Sequence, residues 1–234
     1  MMTALRTKIC TYAIAILVTL GLATPSLAGS STFTGIYGAV KGSMAGAAFD
    51  GTHTDNDGQV SKGSGGGVSP IFGVEAGFNI PLGDVFFIGV GATWNTGKAT
   101  LGYTKDDNDQ SNAANAKLSI QDLTTFYIQP SISIFDNSAI FVKYAESDVE
   151  LKATGAIQTA PPSKISGKTY AAGTMTMADN GVFVKTEVGA TDWDQFTMQV
   201  TGSSGAEGQA ATTKNDVEAN PLMAFGSISI GYKF

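Results

Sequence analysis

The sequence predicts an all-β chain: an eight-stranded antiparallel up-and-down transmembrane β-barrel with long surface loops at one end and short turns at the other. Three observations carry this. Apolar residues recur with period two, not 3.6, along most of the chain. Tight turns of about four residues alternate strictly with long polar stretches. Beyond the first 28 residues no run of 18 apolar residues is present to form a spanning helix. A soluble sandwich has no reason to keep its turns short at one end and long at the other, whereas a membrane barrel does.

The N-terminal segment, residues 1–28, is set apart from the fold. Arg6 and Lys8 form a basic region, an apolar run follows over 12–23, and Ser26 and Ala28 occupy the −3 and −1 positions of a small-residue cleavage site. This is a secretory signal peptide, and the apolar run is too short for the ~20 residues of a membrane-spanning helix. Cleavage leaves residues 29–234 as the barrel and removes Arg6, the only arginine, and Cys10, the only cysteine. The exported chain therefore has no disulfide to stabilise it.

The strands follow in order. A first one covers 33–44. Phe72, Val74, Ala76, Phe78, Ile80 and Leu82 then alternate with Gly73, Glu75, Gly77, Asn79 and Pro81. The turn at Pro81-Leu82-Gly83-Asp84 leads to Phe86, Ile88, Val90, Ala92 and Trp94 on the same face. Phe126, Ile128, Ile132 and Ile134 form the next apolar face, turn at Phe135-Asp136-Asn137-Ser138, and continue as Ile140, Val142 and Tyr144. Residues 167–177 read as the weakest strand, with ambiguous facing. Ala178-Asp179-Asn180-Gly181 places an Asn-Gly pair where a hairpin needs it, before Val182, Val184 and Val188. Residues 222–234 close the set. The stretches 46–67, 102–117, 154–164 and 202–220 are rich in Gly, Ser, Asp, Asn, Thr and Ala, and read as loops.

Composition excludes several classes. With 43 % apolar and 15 % charged residues the chain is not a disordered polymer. Its 29 glycines follow no period of three, so it is not collagen. A net charge of −6 gives no electrostatic footprint for nucleic acid.

The end of the chain is the most specific segment. Leu222, Ala224, Ile228, Ile230, Tyr232 and Phe234 share one face, and the sequence stops on that aromatic. Here, and in its opening Phe33-Thr-Gly-Ile-Tyr37-Gly, the chain resembles small Gram-negative outer-membrane barrels of the OmpA transmembrane-domain, OmpX and opacity-protein type. The resemblance implies that Tyr232 and Phe234 form the signal read by the barrel assembly machinery. It also implies a place in the cell outer membrane, among outer-membrane lipid and lipopolysaccharide, as a monomer.

Physical chemistry points the same way. In lipid every backbone polar group must be paired within the protein, so a spanning sheet closes, its outer face apolar and its inner face free to be polar. Phe78, Phe86, Tyr232 and Phe234 lie near the short-turn end, and Trp94 and Tyr103 near the loop end, as two interfacial aromatic girdles. By the same alternation Lys41, Glu75, Lys143, Lys185 and Glu187 point inward, within a layer of about 10 Å for strands rising ~3.3 Å per residue. In a barrel with room only for side chains, alternating Lys and Glu satisfy one another as an interior ion-pair network.

Chemistry-bearing motifs are sparse. His53 is the sole histidine; Asp55 and Asp57 follow it, but no serine nucleophile is fixed beside them. Outer-membrane deacylases and palmitoyltransferases resemble this architecture, and they use a histidine with such partners. Asp55-Asn56-Asp57-Gly58 echoes the start of a calcium loop, and Asp106-Asp107-Asn108-Asp109 adds an acidic run, but neither supplies the remaining ligands. The glycines of Ser61–Ser69 lack the Lys-Ser ending of a phosphate loop and read as flexible. No cofactor, metal or catalytic set is expected. The sequence supports a surface-loop scaffold for adhesion, host or environment contact, or envelope integrity. The alternatives are a narrow porin-like diffusion channel and, third, a lipid-modifying enzyme.

Overall fold

In the computed structural model, which describes residues 29–54, 60–103, 117–154, 157–202 and 213–234, the period-two segments form one sheet that closes on itself. Ten strands are assigned: β1 (Gly35–Thr54), β2 (Val60–Pro81), β3 (Phe86–Tyr103), β4 (Lys117–Phe135), β5 (Ser138–Thr154), β6 (Ile157–Thr159), β7 (Lys164–Met177), β8 (Val182–Trp193), β9 (Phe196–Gly202) and β10 (Thr213–Lys233). Eight are staves, in the order β1-β2-β3-β4-β5-β7-β8-β10, all antiparallel, with β10 returning to pair with β1. β9 continues the line of β8 after Asp194 and Gln195. β8 pairs with the part of β10 that runs from Leu222 to Tyr232, and β9 with its earlier part. β6 pairs with β9.

Sequence parity becomes facing. Ile36, Val40, Phe72, Phe126, Val188 and Ile228 point outward, each at least 58 % exposed. That is an apolar belt suited to hydrocarbon rather than water. The opposite parity is buried inside. β7, whose facing is ambiguous in the sequence, has Ile165, Thr169, Met175 and Met177 inward. The expected hairpins form, and at Ala178-Asp179-Asn180-Gly181 the last residue takes φ +87°, a conformation glycine adopts without strain. The Asn180 side chain there accepts the Val182 N–H at 3.1 Å.

The strands run further than expected. Much of 46–67, a loop by composition, belongs to β1 and β2, including the Gly/Ser stretch from Ser61 to Ser69 whose composition reads as flexible; β10 similarly begins at Thr213, within 202–220. Backbone pairing with neighbours holds these segments as strand despite their weak intrinsic preference. A second difference is a set of bulges, two of which lie towards the loop end of neighbouring staves. Register shifts between Asn95 and Lys98 on β3 and between Gln121 and Thr124 on β4, where Asp122 takes φ +54°. An extra residue reverses the alternation beyond it, so Ile120 points inward, opposite Leu151 of β5.

Candidate functional site: the barrel lumen

The lumen is filled in layers. At the short-turn end, a 3-10 turn over Ser30–Thr32 folds beneath the barrel and inserts Phe33, which is fully buried. Ser30 fixes it from both groups: its N–H donates to the Asp84 carbonyl at 2.5 Å and its hydroxyl to the Gly83 carbonyl at 2.6 Å. Asn79 donates to the Phe33 carbonyl at 2.8 Å and Lys233 to the Thr32 carbonyl at 2.8 Å. The Phe33 ring stacks on Phe87 with centroids 5.2 Å apart and planes 5° apart, and Met175, Met177 and Phe183 complete an apolar floor.

Above the floor lie the five charges. Lys185 donates to Glu75, Lys143 donates to Glu187, and Lys41 donates to the other Glu187 oxygen at 3.1 Å. All five are buried; the most accessible, Lys41, is 9 % exposed. Two tyrosines tie the layer together. Tyr127 donates to Glu75 Oε1 at 2.5 Å, which leaves Tyr37 to donate to the Tyr127 oxygen at 2.6 Å. Lys143 Nζ lies 4.3 Å from the Tyr127 ring centroid, a cation–π contact that offsets part of its desolvation. The tyrosines fit because of two small neighbours: a Cβ at Gly77 would lie 2.6 Å from Tyr37 Oη, and one at Gly91 2.5 Å from Tyr127 Oη. Beside them, buried side-chain atoms of Gln129, Asn79 and Ser133, and the second carboxylate oxygen of Glu75, have no protein partner.

A hydroxyl chain crosses four staves next. Thr125 and Ser147 lie 2.9 Å apart, Ser147 and Thr169 2.9 Å, and Thr169 and Thr191 2.7 Å. Above it the interior turns apolar again, with Ile71, Ile120, Leu151, Ile165, Trp193 and Met223 among the residues packed together. The lumen space between charges and apolar ceiling is a cavity of about 40 Å³, lined by Lys41, Lys143, Glu187 and the hydroxyl chain.

Of the girdle residues, Phe78, Phe86, Trp94, Tyr232 and Phe234 point outward, and Tyr232 and Phe234 meet edge to face at 5.2 Å. Tyr103 is the last residue of β3; its side chain lies outside the described residues, as does that of His53, placed in β1. Residues 1–28, Asp55 and Asp57, and the acidic run at 106–109 also fall outside them. Among the described residues no group of three His, Cys, Asp or Glu is placed to hold a metal ion. Sequence reasoning missed Tyr37 and Tyr127 as network members, the 3-10 floor, and the hydroxyl chain. The last had a signal: residues 125, 147, 169 and 191 recur at a constant spacing of 22.

No protein-family model and no curated protein sequence matches the chain. Among solved structures, the chain is similar to the outer membrane protein OprG from Pseudomonas aeruginosa, with a TM-score of 0.50 and 11 % identity over 86 % of this chain and 97 % of that one. The outer membrane protease OmpT from Escherichia coli aligns at a TM-score of 0.39 and 9 % identity, over 90 % of this chain and 99 % of that one, too low to carry an argument. At 11 % identity the likeness to OprG bears on fold alone. The chain has the fold of the outer-membrane β-barrels, an all-β closed barrel of eight antiparallel staves.

Proposed function

We propose that this is an outer-membrane protein, exported by a cleaved signal peptide, that acts as a non-catalytic scaffold for its surface loops. The observation that supports this reading best is the filled lumen: among the described residues an apolar floor, a buried ion-pair layer, a hydroxyl chain and an apolar ceiling follow one another, with a cavity of about 40 Å³ between the charges and the ceiling. A porin-like path needs continuous water, and this interior offers side chains at every level. The apolar outer belt favours a lipid setting, with lipopolysaccharide and phospholipid as its neighbours and no second chain required.

Swelling of proteoliposomes in small sugars tests the scaffold against a narrow diffusion channel. Uptake at the rate of protein-free liposomes is expected; uptake at porin-like rates supports the channel instead.

The resemblance to small outer-membrane barrels assigns Tyr232 and Phe234 to recognition by the assembly machinery. Deleting Phe234, which is 78 % exposed on the lipid face, removes little internal packing. It is nevertheless expected to abolish most of the heat-modifiable, folded band in cells, while refolding from urea into detergent stays near normal. Normal assembly in cells removes the assigned role.

A further inference from the structure

The buried network does not balance: three lysines face two glutamates, and no other charged side chain among the described residues is buried in the lumen. The surplus has an address. Lys185 is paired with Glu75, so it is Lys41 and Lys143 that share a single carboxylate, Glu187. The 40 Å³ cavity opens at that end of the network, lined by Lys41, Lys143 and Glu187 and by neither Lys185 nor Glu75. Donors surround it. The four-membered hydroxyl chain from Thr125 to Thr191 spends three protons on its internal bonds and has a fourth to give. An uncompensated buried ammonium is costly, and a counter-charge placed beside it offsets that cost.

We propose that the cavity binds a small monovalent anion of halide size, held by the Lys41 and Lys143 ammonium groups and the hydroxyl chain. A water needs roughly 10–15 Å³ measured in this way, so the space takes one halide with a water or two, or an ion as small as formate. It excludes gluconate. The reading goes beyond the scaffold proposal and is independent of conductance, since a bound anion and a closed lumen are compatible.

The test is thermal unfolding of the refolded protein in detergent, with chloride replaced stepwise by gluconate at constant ionic strength. For the wild type, chloride is expected to raise the midpoint saturably, by on the order of 5 °C at full occupancy. Lys41→Met leaves two lysines facing two glutamates, so its midpoint is expected to be indifferent to the exchange. A wild type equally stable in both salts, or a chloride effect of the same size in Lys41→Met, overturns the proposal. Should that variant fail to refold, crystals of the wild type grown in bromide decide: an anomalous peak between Lys41 and Lys143 supports the site, and its absence refutes it.

Discussion

Glu75→Gln is expected to destabilise the folded barrel by about 3–5 kcal/mol, the usual cost of removing one partner from a buried ion pair. The substitution isolates charge from shape. Glutamine keeps a carbonyl oxygen where Tyr127 donates, so the Tyr37–Tyr127–residue 75 chain survives sterically. What disappears is the anion opposite Lys185, which has a fully buried side chain with Glu75 as its ion-pair partner. Lys185→Met in the same background removes the orphaned cation, and most of the loss is expected to return, because well-packed apolar replacements of buried pairs are often neutral. Urea unfolding in detergent of the two single variants and the double variant gives the coupling energy. Additive, small effects would mean that water reaches the layer and screens it.

Phe33→Ala is expected to cost a similar amount, about 3–5 kcal/mol, for a different reason. The ring is fully buried, stacked on Phe87 and enclosed by Met175, Met177 and Phe183. Its removal leaves a void that the sheet cannot collapse to fill, because the stave positions are fixed by the closed hydrogen-bond register. Phe72→Ala on the lipid face, 64 % exposed, serves as the control and is expected to cost much less in the same detergent. Equal losses for the two would show that the 3-10 turn does not seal the barrel floor.

The parts of this structure legible in the sequence are those where lipid and lumen impose opposite demands on alternate residues. Phe72, Val74 and Phe78 against Glu75 and Asn79 gave β2 its facing. The same parity places Lys41, Lys143, Lys185 and Glu187 on the inner face without any knowledge of strand pairing. Beyond the lipid belt that demand ends. The Gly/Ser-rich start of β2 pairs with β1 as regular strand, yet carries no alternation to reveal it. The bulge at Asp122 is illegible for a sharper reason: one inserted residue exchanges inside for outside, so Ile120 reads as lipid-facing by parity and packs instead with Val149 and Leu151. The partners within the ion layer depend on register across non-adjacent staves, with Lys185 of β8 reaching Glu75 of β2, and no local pattern encodes that.

The proposed scaffold role requires a lumen closed by its own side chains. Ionic conductance of the refolded wild-type protein in a planar lipid bilayer is the decisive measurement, because an ion needs far less room than a sugar. The expected record stays at the baseline of the bare membrane, with at most rare, brief openings. A stable, long-lived open level, scaling with protein incorporation and salt concentration, would contradict it.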